Sequence, residues 1–317
     1  ETARGGVLRE GLAFDRCDVA VVTNVGSGDH LGLNYITTVQ DLAVLKRVIV
    51  QNVSTTGTAV LNATYPTVAA MAGKCRGSVT FFAVDKFHPV MATHRAQGQA
   101  VVYVENGQIV ASKGDLHQTI ALANIPITMG GLIPFQVENV MASVAAAWAL
   151  GLDWNTIRDG LAGFSNDTDN AQGRFNLFTF RGATVIADYG HNPDAMIALV
   201  QAVQAMPAKR RLVVISGAGD RRDQDIRQQT EILGDAFDEV ILYEDQCQRG
   251  RQDGEVIALL RQGLANARRT TQSCEIKGEF LAIDTAMDKL TAGDLCLILV
   301  DQVEEAMAHI AARVEKG

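Results

Sequence analysis

Thr184-Val-Ile-Ala-Asp188-Tyr-Gly-His-Asn192-Pro193-Asp-Ala-Met196-Ile-Ala-Leu199-Val200-Gln-Ala-Val203 is the stretch that decides the fold. Its first five residues form a short β-branched run, the composition of a buried strand, and they end on a carboxylate and a glycine-containing turn. Asn192 has the side chain of a helix N-cap, and Pro193 brings the fixed φ of a first helical position. Met196, Leu199, Val200 and Val203 then recur at helical spacing. The segment reads strand, turn, helix. Strands are expected again at Leu212 to Ser216, Glu239 to Tyr243 and Leu295 to Val300, with helices between them. This alternation implies a parallel sheet covered by helices on both faces.

Upstream lies a polar stretch rich in Asp and Asn, Ser165 to Gln172, which places a domain boundary there. Two domains, 1–168 and 169–317, suit a chain of 317 residues. In the first, Cys17 to Thr23 reads as a buried strand and Asn24 to Gly32 as a loop. Val39 to Gln51 reads as a helix with Leu42, Leu45, Val48 and Ile49 on its apolar side, and Thr58 to Asn62 as a strand. Glu105-Asn106-Gly107 separates Ala100 to Val104 from Gln108 to Ser112 as a hairpin turn, since Asn-Gly favours positive φ. Val137, Val140, Met141, Val144 and Trp148 line one side of a helix that Gly151 closes.

Composition narrows the function. Twenty-eight basic against 36 acidic residues give a net charge of -8, which repels a polyanionic backbone, so nucleic acid is not an expected partner. The longest apolar stretch, Val140 to Leu152, is short of the roughly 18 residues that span a bilayer, and no membrane association is expected. Five widely spaced cysteines form no Cys-x-x-Cys pair, which argues for a reducing, cytoplasmic setting rather than a disulfide framework or thiolate zinc site. The chain opens on Glu1 and passes at once into motif-like sequence, so it is expected to be a piece of a longer polypeptide.

Ligands of open α/β sheets bind beyond the carboxyl ends of the strands, and four strand-to-loop junctions carry the chemistry-bearing residues. They are Thr23 to Gly32, Asp188 to Pro193, Ser216 to Asp223 and Glu244 to Arg251. Gly217-Ala-Gly219 lacks the third glycine of a dinucleotide fingerprint, which disfavours a nicotinamide site. No Gly-x-x-x-x-Gly-Lys-Ser/Thr occurs, so this chain has no self-contained triphosphate cradle.

Glu1-Thr-Ala-Arg-Gly-Gly, the Thr-Asn-x-Gly-x-Gly-Asp-His-Leu-Gly loop, Gln136-Val-Glu-Asn139, Gly173-Arg174-Phe175, Asp188-Tyr-Gly-His-Asn-Pro193, Tyr243-Glu-Asp-Gln-Cys-Gln-Arg-Gly-Arg251 and Asp301-Gln-Val-Glu-Glu-Ala306 occur in that order. Together they resemble the Mur-ligase-like, carboxyl-terminal region of the cyanophycin synthetase family. The resemblance implies two α/β domains with mostly parallel sheets: the remainder of a central ATP-binding domain without its phosphate-binding loop, then a Rossmann-like carboxyl-terminal domain. It also implies ATP-dependent amide formation through an acyl phosphate, with arginine joined by its α-amino group to the β-carboxyl of a poly-aspartate primer. ATP and Mg²⁺ are the implied cofactors. ATP-grasp and phosphate-loop segments of the same polypeptide are the implied partners, a homo-oligomer is expected, and this piece alone is expected to be inactive.

By position, Glu1 resembles the family's acidic Mg²⁺ ligand and His30 its histidine near the second metal. Carboxylate oxygen suits Mg²⁺ better than imidazole does. Lys46 matches in place the lysine that Mur-type ligases carbamylate; the alternative is an ordinary lysine on a polar helix face. Asn139 either caps its helix or reaches an adenine edge. Arg174 and Asp188 resemble a nucleotide clamp, guanidinium toward phosphate or ribose and carboxylate toward ribose hydroxyls, with His191 and Asn192 beside them. Arg221, Arg222 and Asp223 either gather phosphate or substrate carboxylate or serve as surface ion pairs.

Selecting arginine needs carboxylates at one end and a cation at the other. Arg249 is expected to face the α-carboxylate, and Asp245, Asp301 or Glu304 the guanidinium. The chain departs from Mur-type ligases at Asn62-Ala-Thr64-Tyr65-Pro66, where two acidic residues commonly follow Asn-Ala. Two alternatives stay open: another amino-acid ligase of the same fold, and a noncatalytic scaffold or oligomerisation remnant.

Overall fold

The computed structural model describes residues 2–27, 31–32, 34–167, 170–244 and 248–317. The chain divides into two compact units, Glu1–Phe164 and Ser165–Gly317. The first unit holds one six-stranded sheet in the order β1 (Cys17–Val22), β2 (Val53–Asn62), β3 (Ser78–Phe82), β4 (Val101–Glu105), β5 (Gln108–Lys113), β6 (Leu116–Ala121). Strands β1 to β4 are parallel, and β4, β5 and β6 form an antiparallel meander. Its helices are α1 (Arg4–Glu10), α2 (Val39–Lys46), α3 (Val48–Gln51), α4 (Pro66–Ala69), α5 (Pro89–Ala96), α6 (Pro134–Ala149) and α7 (Trp154–Ala162).

The β4–β5 turn is the one Asn-Gly predicts, with Asn106 at φ 50° and Gly107 at φ 72°. The helix expected over Val39 to Gln51 is two pieces, α2 and α3, meeting at Arg47. Local chemistry fixes the first turn of α2: the Thr38 side chain takes the Asp41 N–H while the Asp41 carboxylate takes the Thr38 N–H, a reciprocal cap. The alanines of α6 let it lie close to the sheet, and Val60, Phe82, Val102, Met141 and Ala145 pack together there.

In the second unit the sheet order is β11 (Gln272–Lys277), β10 (Glu239–Glu244), β9 (Arg211–Ile215), β12 (Leu295–Leu299), β8 (Ala183–Asp188), β7 (Asn176–Phe180). All neighbours are parallel except β7 with β8. Helices α8 (Pro193–Ala205), α9 (Asp223–Gly234), α10 (Glu255–Leu264), α11 (Glu279–Asp288) and α12 (Val303–Lys316) connect them. Every residue of β12 and β10 is buried, whereas β11 at the edge alternates exposed and half-buried. A central parallel strand is covered on both faces, so Leu-Cys-Leu-Ile-Leu reads as a continuous apolar run. Leu297 at the centre contributes about 2 kcal/mol by burial.

The chain runs from β8 past β12's place to β9, on to β10 and β11, and then returns to insert β12 between β9 and β8. This reversal sets the carboxyl ends of β8, β9 and β12 side by side, the place where open sheets leave a crevice for ligands. Neither β7 nor β11 is announced by the sequence pattern; both are edge strands with a mixed composition.

Candidate active site

The described residues of the first unit place Lys46 and Asn24 together. Lys46 Nζ donates to the Asn24 carbonyl at 3.2 Å, joining the end of α2 to the loop after β1. Both line a cavity of about 520 Å³ with Thr23, Arg4, Leu45 and Ile49. The expected metal residues Glu1 and His30 lie outside the described residues. Among the described residues no group of three or more His, Cys, Asp or Glu could hold a metal.

At the carboxyl end of β2, Asn62 is buried; its Oδ1 takes the Thr64 N–H at 3.0 Å and its Nδ2 donates to Glu138 at 3.1 Å. Burial pushes the Glu138 carboxyl up despite that bond. Asn139, next on α6, donates to Gln136 at 3.1 Å. A carboxylate therefore reaches the Asn62 turn from α6, although residues 64 and 65 carry none. The signal for Glu138 was its place in the Gln136-Val-Glu-Asn139 run.

In the second unit, Asp188 ends β8 almost fully buried. Its Oδ2 accepts the Phe175 N–H at 2.9 Å and its Oδ1 the Gly190 N–H at 2.6 Å. Burial raises its pKa to about 6, with the two N–H bonds and the Arg174 charge opposing. Gly173 can sit there only because it lacks a side chain: φ is 71°, and a Cβ would lie 2.6 Å from Val303 Cγ1. The same turn holds exposed Arg174 with its guanidinium 5.7 Å from the Tyr189 ring centroid. His191 Nδ1 bonds the Tyr189 carbonyl at 2.8 Å, and its ring meets the Tyr189 ring edge-on at 4.7 Å between centroids. Asn192 caps α8, its Oδ1 taking the Ala195 N–H at 2.9 Å.

Facing these from the ends of β9 and β12 is a charged cluster. Arg249, at φ 48°, donates to Asp301 Oδ1 at 2.7 Å and lies 3.7 Å from Asp220 Oδ1. Burial would lower its pKa; a hydrogen bond with Tyr189 and the charges of Asp301 and Asp220 raise it instead. Asp220 Oδ1 is buried and accepts no hydrogen bond among the described residues. Buried Arg221 lies 3.7 Å from Asp220 Oδ2.

The expected trio 221–223 divides. Arg222 makes a bidentate pair with Asp225 at 2.7 and 2.8 Å, bracing the first turn of α9. Asp223 accepts from Arg251 at 2.8 Å. Arg251, to which no role was assigned above, also donates to the Gly219 and Arg221 carbonyls, each at 2.8 Å, and to Glu255 at 2.7 Å. It stitches the loop after β9 to the loop before α10. Gly219 permits that approach, since a Cβ would meet the Gln248 carbonyl oxygen at 2.0 Å. Glu304 is exposed in the first turn of α12, and Asp245 lies outside the described residues.

Arg174 and Arg249, with the buried carboxylate oxygen of Asp220 near Arg249, suit an anionic ligand that also carries a positive group, whereas Arg222 and Arg251 are taken up by internal bonds. The fold and these residues define a class. The Mur ligase middle domain family model matches residues 5–147, and the Mur ligase glutamate ligase domain model matches residues 173–299. The chain belongs to the Mur ligase family. Within it, the chain is similar to the cyanophycin synthetase of Geminocystis herdmanii, 40% identical over 312 residues, 98% of this chain and 35% of that protein.

The chain thus spans about a third of the length of that relative. Escherichia coli FolC, solved with ADP, aligns with a TM-score of 0.67 and 24% identity over 95% of this chain and 63% of that one. The bifunctional folylpolyglutamate synthase/dihydrofolate synthase of Yersinia pestis, complexed with AMPPNP and Mn ion, gives 0.64 and 20% over 93% and 62%. At these identities the likeness concerns the fold. No helix among the described residues is long and apolar enough to cross a membrane.

Proposed function

We propose that this chain is the Mur-like part of an ATP-dependent ligase that joins arginine to the β-carboxyl groups of a poly-aspartate primer. The observation that carries the reading is Arg249, a cation held at the sheet's carboxyl edge by Asp301 and Asp220. An amino acid's α-carboxylate is the complementary charge for Arg249. The substrate's positive side chain then faces Asp301 and Asp220, whose Oδ1 accepts no hydrogen bond among the described residues, with Glu304 of α12 and Asp245 as further candidate carboxylates. The similarity to cyanophycin synthetases over 98% of the chain supports arginine as that amino acid.

ATP is a substrate: a primer carboxylate oxygen attacks the γ-phosphorus and ADP leaves, and the arginine α-amine then displaces phosphate from the acyl phosphate. Arg174, Asp188, His191 and Asn192 are assigned to the nucleotide. Arg174 stays exposed on the Tyr189 ring, a cation free to turn toward phosphate, while Asp188 sets the turn that presents it. Asn139 is assigned to the adenine edge, and Arg221, Arg222 and Asp223 to the loop that flanks the amino acid. Glu1 and His30 are assigned to Mg²⁺, whose charge would stabilise the transferring phosphoryl group. The described residues offer no metal-binding cluster, and no step is derived through the ion. The phosphate-binding loop and the ATP-grasp activity belong to other segments of the parent polypeptide.

Steady-state kinetics of the parent enzyme test the reading. Arg249→Ala should raise the arginine KM about ten-fold, equivalent to about 1.4 kcal/mol for a charge pair that keeps part of its surface in solvent, with the ATP KM little changed. A wild-type arginine KM in both Arg249→Ala and Asp301→Ala would place the amino-acid site elsewhere.

A further inference from the structure

Glu279 belongs to none of the motifs, yet it is one of the most deeply buried charged residues of the second unit, 1% exposed. It opens α11 directly after Gly278, whose positive φ of 102° turns the chain out of β11 and whose N–H is pinned to the Glu244 carbonyl at 2.9 Å. From there the carboxylate reaches the loop after β12. Oε1 accepts the Asp301 N–H at 2.8 Å and Oε2 the Gln302 N–H at 3.0 Å.

These two amides stand just before α12, whose own N-cap residue Gln302 makes no side-chain cap. A carboxylate from another element supplies both the hydrogen bonds and the negative charge that a helix N-terminus favours. The effect goes beyond capping, because the side chain of the residue so held, Asp301, is the one that carries Arg249 at 2.7 Å. A continuous path, Glu279 to the Asp301 backbone to the Asp301 carboxylate to Arg249, connects the edge of the sheet to the charged cluster.

We propose that Glu279 is a positioning residue of the amino-acid site: by gripping two consecutive amides it fixes the direction of the Asp301 carboxylate, and through it Arg249. The inference rests on the assignment of Arg249 and Asp301 to amino-acid binding. A bidentate carboxylate grip suits this task because it fixes a rotation as well as a distance. A swing of Asp301 by one rotamer would take away the carboxylate that Arg249 meets at 2.7 Å and leave it to Asp220 alone, moving the cation proposed to receive the substrate's α-carboxylate.

The test is Glu279→Gln in the parent enzyme, which preserves volume but sets an NH₂ against one of the two N–H donors. The arginine KM should rise about ten-fold while the ATP KM stays within about two-fold. Because Glu279 acts through Asp301, adding Glu279→Gln to Asp301→Asn should change the arginine KM by less than about two-fold. A merely structural Glu279 would multiply that constant equally in both backgrounds, and this result overturns the proposal. A wild-type arginine KM in Glu279→Gln alongside a raised one in Asp301→Asn also overturns it while leaving the amino-acid site intact. A wild-type value in Asp301→Asn removes both. A readout that needs no variant is hydrogen exchange in the unmodified enzyme: the Asp301 and Gln302 amides should be protected, and exchange at the rate of an open loop overturns the grip.

Discussion

Asp188 offers a quantitative test of how the carboxyl edge of the second sheet is built. Its carboxyl is moved from an ordinary 3.8 to about 6, chiefly by burial at the end of β8. A raised carboxyl pKa means that the folded chain binds the proton more tightly than the unfolded chain does. Between these values the folded state holds more protons, so stability falls as pH rises. The stabilisation is fully present below about pH 4 and is lost on passing through about pH 6, and its size is about 3 kcal/mol.

Other carboxylates oppose this trend. Asp235 and Asp238 have lowered pKa values: Asp235 through Arg268, and Asp238 through Arg269 and the Arg211 N–H against burial. The measurement is therefore a difference, wild type minus Asp188→Asn, a variant with no proton to titrate at that site. Urea unfolding at a series of pH values should show that difference shrinking by about 2.4 kcal/mol from pH 4 to pH 7 in favour of the variant, most of the full effect. Both tryptophans, Trp148 and Trp154, lie in the first unit, so their fluorescence reports that unit alone, while far-UV circular dichroism reports both and the second unit is followed by the part of its transition that the fluorescence does not share. A difference constant to within about 0.5 kcal/mol would show that the bonds from Phe175 and Gly190 cancel burial, and one growing with pH that they exceed it.

Arg251→Ala should destabilise the second unit by about 2 kcal/mol, because two backbone carbonyls and two carboxylates lose a shared donor; a thermal melt within a degree of wild type would contradict this. It should also raise the arginine KM, since the loop bearing Asp220 and Arg221 is no longer tied to residue 251. If Lys46 is carbamylated, its peptide should gain the mass of one CO₂ in bicarbonate, and the loss of activity in Lys46→Ala in the parent enzyme should be partly rescued by short carboxylates. The remaining carbamate N–H can keep the bond to the Asn24 carbonyl, so the modification is compatible with the observed contact. No adduct and no rescue would leave Lys46 as a tether between α2 and the loop after β1.

Much of the molecule follows from sequence because its instructions are local. Asn192 and Pro193 start α8 where their own side chains dictate, Asn106-Gly107 turn the hairpin because those residues tolerate positive φ, and β12 is a central strand because it is apolar throughout. The strand-to-loop junctions were legible for the same reason, and with them the positions of Asp188, His191 and Arg249; Arg174, which precedes β7, was singled out only by the resemblance. What no local pattern states is which loops meet. The insertion of β12 between β8 and β9 is a property of the whole sheet, and it alone brings Asp301 to Arg249 across 52 positions of sequence.

The roles of Arg251 and Glu279 were hidden for a further reason. Two of the groups that Arg251 holds and both amides that Glu279 grips are backbone groups, and every residue but proline offers the same N–H and every residue the same carbonyl, so the sequence at the receiving end carries no mark of those bonds. Likewise Arg222 and Arg251 look alike as surface arginines, and only geometry assigns one to a helix turn and the other to a loop junction. Sequence thus determined the central strands of the second sheet, the helices between them and the chemistry available at their ends, while the edge strands β7 and β11 and the break between α2 and α3 carried no local signal. Tertiary structure decided which charges face one another, because an electrostatic pair depends on a distance of a few ångströms that chain order does not encode.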